Sequence, residues 1–234
     1  MKLTKLFALL LALVMVLCAC GTDPSTNPTQ TPTTGTQGTE GKQEENKQLS
    51  LGKLENGVYT NEYAGIACNL SSAWSVYSAE ELQELPDTVK DMLSGSELEE
   101  AVAGYETIID MQAENVDDLL VMNLVYTKLK LSDRLRYATM SNEQIINHTL
   151  QQKDVLISTY QQVGIFVKSM EKKTVTYLGK EVCGIYTVAE VSGVPYYMLQ
   201  VFDYHLGAYS YTITVSSYID DHTQSILDMF YSLD

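Results

Sequence analysis

From Leu51 onward the hydrophobic pattern switches between a period of two and a period near 3.6, and the switches predict the elements. Alternating runs predict strands over 57–61 and 64–70. A hairpin follows over 106–113 and 119–129, joined by Asn115, Val116, Asp117 and Asp118. The last third predicts four more strands, 174–178, 181–191, 194–204 and 208–216, with turns at Gly179-Lys180, Ser192-Gly193 and His205-Leu206-Gly207. In the final strand Tyr209, Tyr211, Ile213 and Val215 share one face and Ser210, Thr212, Thr214 and Ser216 the other. That alternation predicts one buried and one wet side.

Helices are announced by their caps. Ser78 with Glu81 forms a capping box opening a helix to about residue 93, interrupted near Pro86, and Ser96 starts a shorter one ending near Gly104. A further box, Ser141 with Gln144, opens a helix carrying Ile145, Ile146, Leu150, Leu156, Ile157, Tyr160 and Val163 at helical spacing. Gly164 stops it. Asp220 or Asp221 caps a last helix that turns Ile226, Met229, Phe230 and Leu233 toward the sheet. Hairpins grouped apart from helices predict an α+β domain over 51–234, a central antiparallel sheet flanked by helices.

The first fifty residues follow other rules. Lys2 and Lys5 precede an apolar run from Leu6 to Leu17, and Cys18, Ala19 and Cys20 follow, the order of an export signal over 1–19. The run falls short of the roughly 18–20 residues that cross a bilayer. Leu17-Cys18-Ala19-Cys20 resembles the bacterial lipobox, which implies cleavage before Cys20 and lipidation of its thiol. At about 0.8 kcal/mol per buried CH₂, two or three acyl chains hold a protein on a membrane where one does not. Residues 20–50, rich in Thr, Pro, Gln and Gly, contain almost nothing apolar and read as a disordered tether. Its root-mean-square reach is about 30 Å.

Loss of Lys2 and Lys5 leaves 13 of the 15 basic residues against 30 acidic ones, a formal charge of −17. Such a balance excludes nucleic acid as a partner and argues against electrostatic adhesion to anionic lipid. Of four cysteines, Cys68 and Cys183 fall in the domain. Export permits a disulfide between them; two buried free thiols are the alternative.

Chemistry is sparse. There is no G-x-S-x-G elbow, no H-E-x-x-H and no cysteine pair at zinc spacing, so no metal or cofactor is expected. Among the three histidines, His148 reads as exposed on its helix and His222 lies in the first turn of the last helix. His205, two residues after Asp203, forms the one enzyme-like pair, of use to a hydrolase. The acids Glu80, Glu81, Glu84, Asp87, Glu97, Glu99 and Glu100 lie on predicted helices and cannot converge on calcium as loop ligands do. They read as a solvated face that could steer a basic partner. Sixteen tyrosines suit half-buried sheet positions, and Trp74 suits a corner of the core.

Tyr63-Ala64-Gly65-Ile66-Ala67, Trp74, Ser78 to Leu82, Leu178 to Glu181 and Ile226 to Leu233 together resemble the PsbP-like superfamily, specifically its lipoproteins from Gram-positive bacteria. The resemblance spans about 57–233 and implies an antiparallel sheet between helices, in proteins that act as accessory or binding subunits. The expectation is a lipid-anchored, extracytoplasmic, non-enzymatic binding domain that contacts another envelope protein. A transporter's small-solute receptor is the alternative.

Overall fold

Four tight hairpins build the larger of two sheets. The computed structural model describes residues 48–83 and 106–233, with the backbone alone at His205 and Leu206. Its strands in chain order are β1 (Lys53–Glu55), β2 (Val58–Asn61), β3 (Ile66–Asn69), β4 (Ser75–Val76), β5 (Thr107–Asn115) and β6 (Leu120–Lys128). After three helices come β7 (Ile165–Tyr177), β8 (Lys180–Val191), β9 (Val194–Leu206), β10 (Tyr209–Tyr218) and β11 (Phe230–Ser232). The helices are α1 (Leu131–Tyr137), α2 (Asn142–Leu150), α3 (Lys153–Gln162) and α4 (Thr223–Leu227).

One sheet has the order β1-β2-β3-β11 and the other β4-β5-β6-β10-β9-β8-β7, and every pairing is antiparallel. The β7–β8 and β8–β9 turns place Leu178-Gly179 and Ser192-Gly193 at positive φ at both positions. That left-handed pair matches the twist of the flanking strands. It also puts the first turn one residue earlier than the sequence suggested.

The two sheets pack face to face. Between them lies a core of Ile66, Cys68, Met122, Leu124, Tyr126, Leu199, Ile213 and Val215, closed by Ile226 and Phe230. On the opposite face of the large sheet α2 and α3 cover β7 and β8, burying Ile146, Leu156 and Tyr160 against Ile185, Ala189 and Met198. The α+β class and the antiparallel sheet are therefore observed, with β-structure predominating. One face is covered by a second sheet, which the sequence reading did not contain.

The wet face assigned to β10 is overturned on the other side of the sheet, the side of the helix-covered cluster, where its register neighbours Val125, Met198 and Phe202 lie. Ser210, Thr212, Thr214 and Ser216 are all buried. The strand lies between β6 and β9, so its hydroxyls join a polar row inside the protein. Gln112, Asn123, Thr214 and Gln200 are register neighbours across four strands, all buried, and Gln200 Nε2 donates to Thr214 Oγ1 at 3.3 Å.

Other elements differ for local reasons. β7 begins at Ile165, nine residues ahead of its expected start, because its charges disguise the alternation. It is an edge strand, and Lys168, Lys172 and Lys173 pair with Glu190, Glu143 and Asp221. Lysines on an edge discourage pairing with another chain. The helix expected from Ser141 to Val163 breaks at Gln151 and Gln152, which lets both pieces lie on the twisted sheet. Its capping box is present as predicted, Ser141 and Gln144 exchanging bonds. The last helix stops at Leu227, and Phe230 pairs with Cys68 as a strand. The N-cap of that helix is His222, not Asp220 or Asp221, and no side chain caps it from that position; Asp221, one residue earlier, accepts from the Thr223 amide at 3.0 Å. Helix α1 was not expected, because it has no side-chain cap and buries only Asp133 and Tyr137.

No disulfide joins Cys68 and Cys183; both are free. Cys68 points into the inter-sheet core beside Met122, whereas Cys183 packs with the helix-covered cluster on the other side of the large sheet. Burial pushes the Cys68 thiol up to about 12. Under native conditions a thiol reagent should therefore label Cys183 and spare Cys68. Peptide mapping after labelling checks this, and denaturant should expose the second site.

Candidate functional site

A cleft of about 640 Å³ opens where β1, the end of β4, the helical turn at 79–83 and the start of β5 meet. Its walls are mostly apolar, from Leu51, Leu54, Val76, Leu82 and Ile108, and Tyr59 and Asp110 form part of the lining. Such a mixture, apolar walls with a few placed polar groups, is the usual make-up of a binding site.

Asp110 is the unusual residue. The register of β5 against β6 shifts between Ile109 and Met111, so Asp110 is the extra residue of a β-bulge. Bulges re-aim a side chain and recur beside functional sites. Here the carboxylate is buried and accepts from the Gly52 amide at 2.8 Å, the Tyr59 hydroxyl and the Asn61 side-chain amide. Burial raises the Asp110 pKa, against the lowering effect of the Tyr59, Gly52 and Asn61 bonds. The Tyr59 hydroxyl is raised far above its ordinary value by burial first and then by the Asp110 charge. Gly52 is required for the approach, because a Cβ there would lie 2.3 Å from the Tyr59 ring.

The cluster ties the incoming strand and the small sheet to the large one. It also uses up the acid: three donors already occupy Asp110, and Asn61 Oδ1 accepts from the Ala64 amide at 2.8 Å. Glu81, on the cleft rim, is engaged too, accepting from the Ser78 amide at 2.9 Å in the predicted capping box. Burial, then the charges of Glu114 and Glu81, push the Tyr77 hydroxyl up to about 12. The cleft thus offers apolar surface, with both of its carboxylates already hydrogen-bonded within the fold.

The residues singled out by sequence fall elsewhere. Glu80 is exposed and Glu81 lines the cleft, while Glu84, Asp87, Glu97, Glu99 and Glu100 lie outside the described residues, as does Cys20. His205 is in β9, not in a turn; the turn is at Gly207-Ala208. Asp203 pairs with Tyr211, and its charge helps raise the Tyr211 and Tyr177 hydroxyls, each raised mainly by burial. His148 is half-buried with Nε2 enclosed, not surface-exposed as expected. Trp74 is half-buried against the inter-sheet core. Among the described residues no group of His, Cys, Asp and Glu is arranged to hold a metal ion, and no helix is long and apolar enough to cross a membrane.

Asp110 was missed because its partners are distant in sequence. The local signal was one acid inside the otherwise apolar run Ile108 to Met111. No protein-family model matches the chain, and no curated protein matches it in sequence.

Proposed function

We propose that this chain is a bacterial lipoprotein, anchored at Cys20 outside the cytoplasmic membrane, whose domain binds an envelope partner without catalysing a reaction. The lipobox-like residues Leu17 to Cys20 support the address, and the antiparallel large sheet supports the PsbP-like resemblance. One observation carries the binding role. The cleft has apolar walls, while its buried carboxylate already accepts three hydrogen bonds and its rim carboxylate is engaged in a helix cap. A general base needs a free lone pair facing the proton it takes. An acid so engaged in an apolar cleft holds structure and leaves the walls to do the recognising. The partner's matching group is apolar, an aliphatic or aromatic side chain of an envelope protein.

Photo-cross-linking in cells tests this. A photoreactive residue at Gln83, exposed beside the cleft, should capture one defined envelope protein. Changing Leu54 and Ile108 to Asp should abolish that product while the chain still reaches the membrane. Equal capture from a distant position such as Val116, or a product indifferent to the Asp changes, contradicts the cleft as the binding site.

A further inference from the structure

We propose that helix α1 is a second membrane contact, laying Leu131 and Leu135 into the anionic lipid surface to which the chain is tethered. The proposal rests on the lipid-anchored reading above. The two leucines stand one helical turn apart and, at 68% and 66% exposure, are the most exposed large apolar residues described. Asp133 and Tyr137 mark the opposite, buried side of the helix. On a helical projection the leucines therefore point straight outward, with Arg134 on one flank and Arg136 on the other.

Charge concentrates at the same place. The chain contains only two arginines, Arg134 and Arg136, and both lie here. Lys128 and Lys130 precede them, and between 128 and 136 the one acid is Asp133, which is buried. Lys128 is committed to Glu106 at 2.7 Å, so Arg134 and Arg136 supply the attraction. The acidic remainder of the chain does not cancel them, because charges more than about 8 Å apart are largely screened at physiological salt. Leucines flanked by basic residues are the composition of an interfacial helix. A basic patch beside a lipid anchor adds to its hold on an anionic surface.

The helix is also seated firmly and on the right side. Tyr137 packs on Tyr204 with ring centroids 4.5 Å apart, and Leu129 and Ile145 complete that small core. The chain enters the domain through Leu49, packed on the inter-sheet core, and Gly52, held beside Asn61 by the β1–β2 register and by Asp110. Two residues beyond Asn61, Tyr63 meets Tyr126 edge to face at 5.6 Å, and α1 follows within five residues of Tyr126. Tether entry and exposed leucines thus share one end of the sheets. Docking there would need only a short stretch of the roughly 30 Å tether.

The test uses the full lipidated chain purified from membranes, with Cys183→Ser and a polarity-sensitive fluorophore at Leu135→Cys. A matching protein carries the probe at Val116→Cys, in the turn at the opposite end of β6. Each is reconstituted into phosphatidylcholine vesicles bearing a lipid-linked quencher, with or without phosphatidylglycerol. The probe at 135 should be quenched in the phosphatidylglycerol vesicles and the probe at 116 should not. Changing Arg134 and Arg136 to Glu should release it, the docked-to-free ratio falling about fivefold for each positive charge removed. Equal quenching at 135 and 116, or quenching indifferent to phosphatidylglycerol and to charge reversal, overturns the proposal. Shielding of 135 in native membranes but not in pure lipid assigns the patch to a protein and overturns it as well. Flotation of the vesicles reports the anchor separately. A chain that fails to float without phosphatidylglycerol contradicts anchoring at Cys20, and the 135-against-116 comparison at high vesicle concentration still decides the docking.

Discussion

Replacing Asp110 with Ala should lower the melting temperature of the domain by about 10 °C. The substitution removes the acceptor for the Gly52 amide, the Tyr59 hydroxyl and the Asn61 side-chain amide at once, all of them held at the buried junction of the two sheets. A buried donor left without a partner costs about 1–3 kcal/mol, so a loss of about 3–5 kcal/mol is expected in total. For a domain of this size each kcal/mol moves the midpoint by about 2–4 °C. Asp110→Asn keeps the shape and one acceptor oxygen, and should lose about half as much. The pair of variants also gives a pH signature. Burial raises the folded-state pKa of Asp110 above its ordinary 3.8, so the folded chain binds that proton more tightly than the unfolded one. Stability from this group therefore grows as pH falls from the raised value toward 3.8, and declines as pH rises through that window. The difference between the native chain and Asp110→Asn, followed by thermal melts from neutral pH downward, should widen in favour of the native chain.

Alkali should unfold the domain in one steep step above pH 10. Tyr59, Tyr126, Tyr177, Tyr196 and Tyr211 are buried, and burial is the first cause of a raised hydroxyl pKa in each. In the unfolded chain these hydroxyls ionise near 10, while in the folded chain they keep their protons. Stability is thus whole below pH 10 and is lost as pH rises past it. Five such groups remove about 7 kcal/mol per pH unit once the unfolded forms have ionised. That exhausts a typical stability of about 5–15 kcal/mol within one to two units. Tyrosinate absorbance and loss of tertiary circular dichroism should rise together. Ionisation of these tyrosines well before unfolding would contradict their burial.

Much of the fold was legible because its signals are local. Ser78 with Glu81 and Ser141 with Gln144 are capping boxes readable from four residues each, and Ser192-Gly193 marks its turn without outside help. What was not legible depends on distant partners. Ser210 to Ser216 alternate as a half-wet strand does, and only the covering of both sheet faces buries their hydroxyls. Phe230 continues a helical stripe in sequence, yet pairing with Cys68 extends it into a strand. Gly52, Tyr59, Asn61 and Asp110 are unremarkable separately, and a one-residue bulge makes them a cluster. The exposed leucines of α1 were invisible for the opposite reason: a helix without cap or apolar stripe gives a pattern reader nothing to mark.

Intact-mass spectrometry of the protein extracted from membranes tests the anchored reading most directly. The mature chain should begin at Cys20 and be heavier than its sequence by a diacylglyceryl group, with or without a further acyl chain on the amine. A chain recovered from the medium with an unmodified Cys20, or one cut at another position, would contradict it.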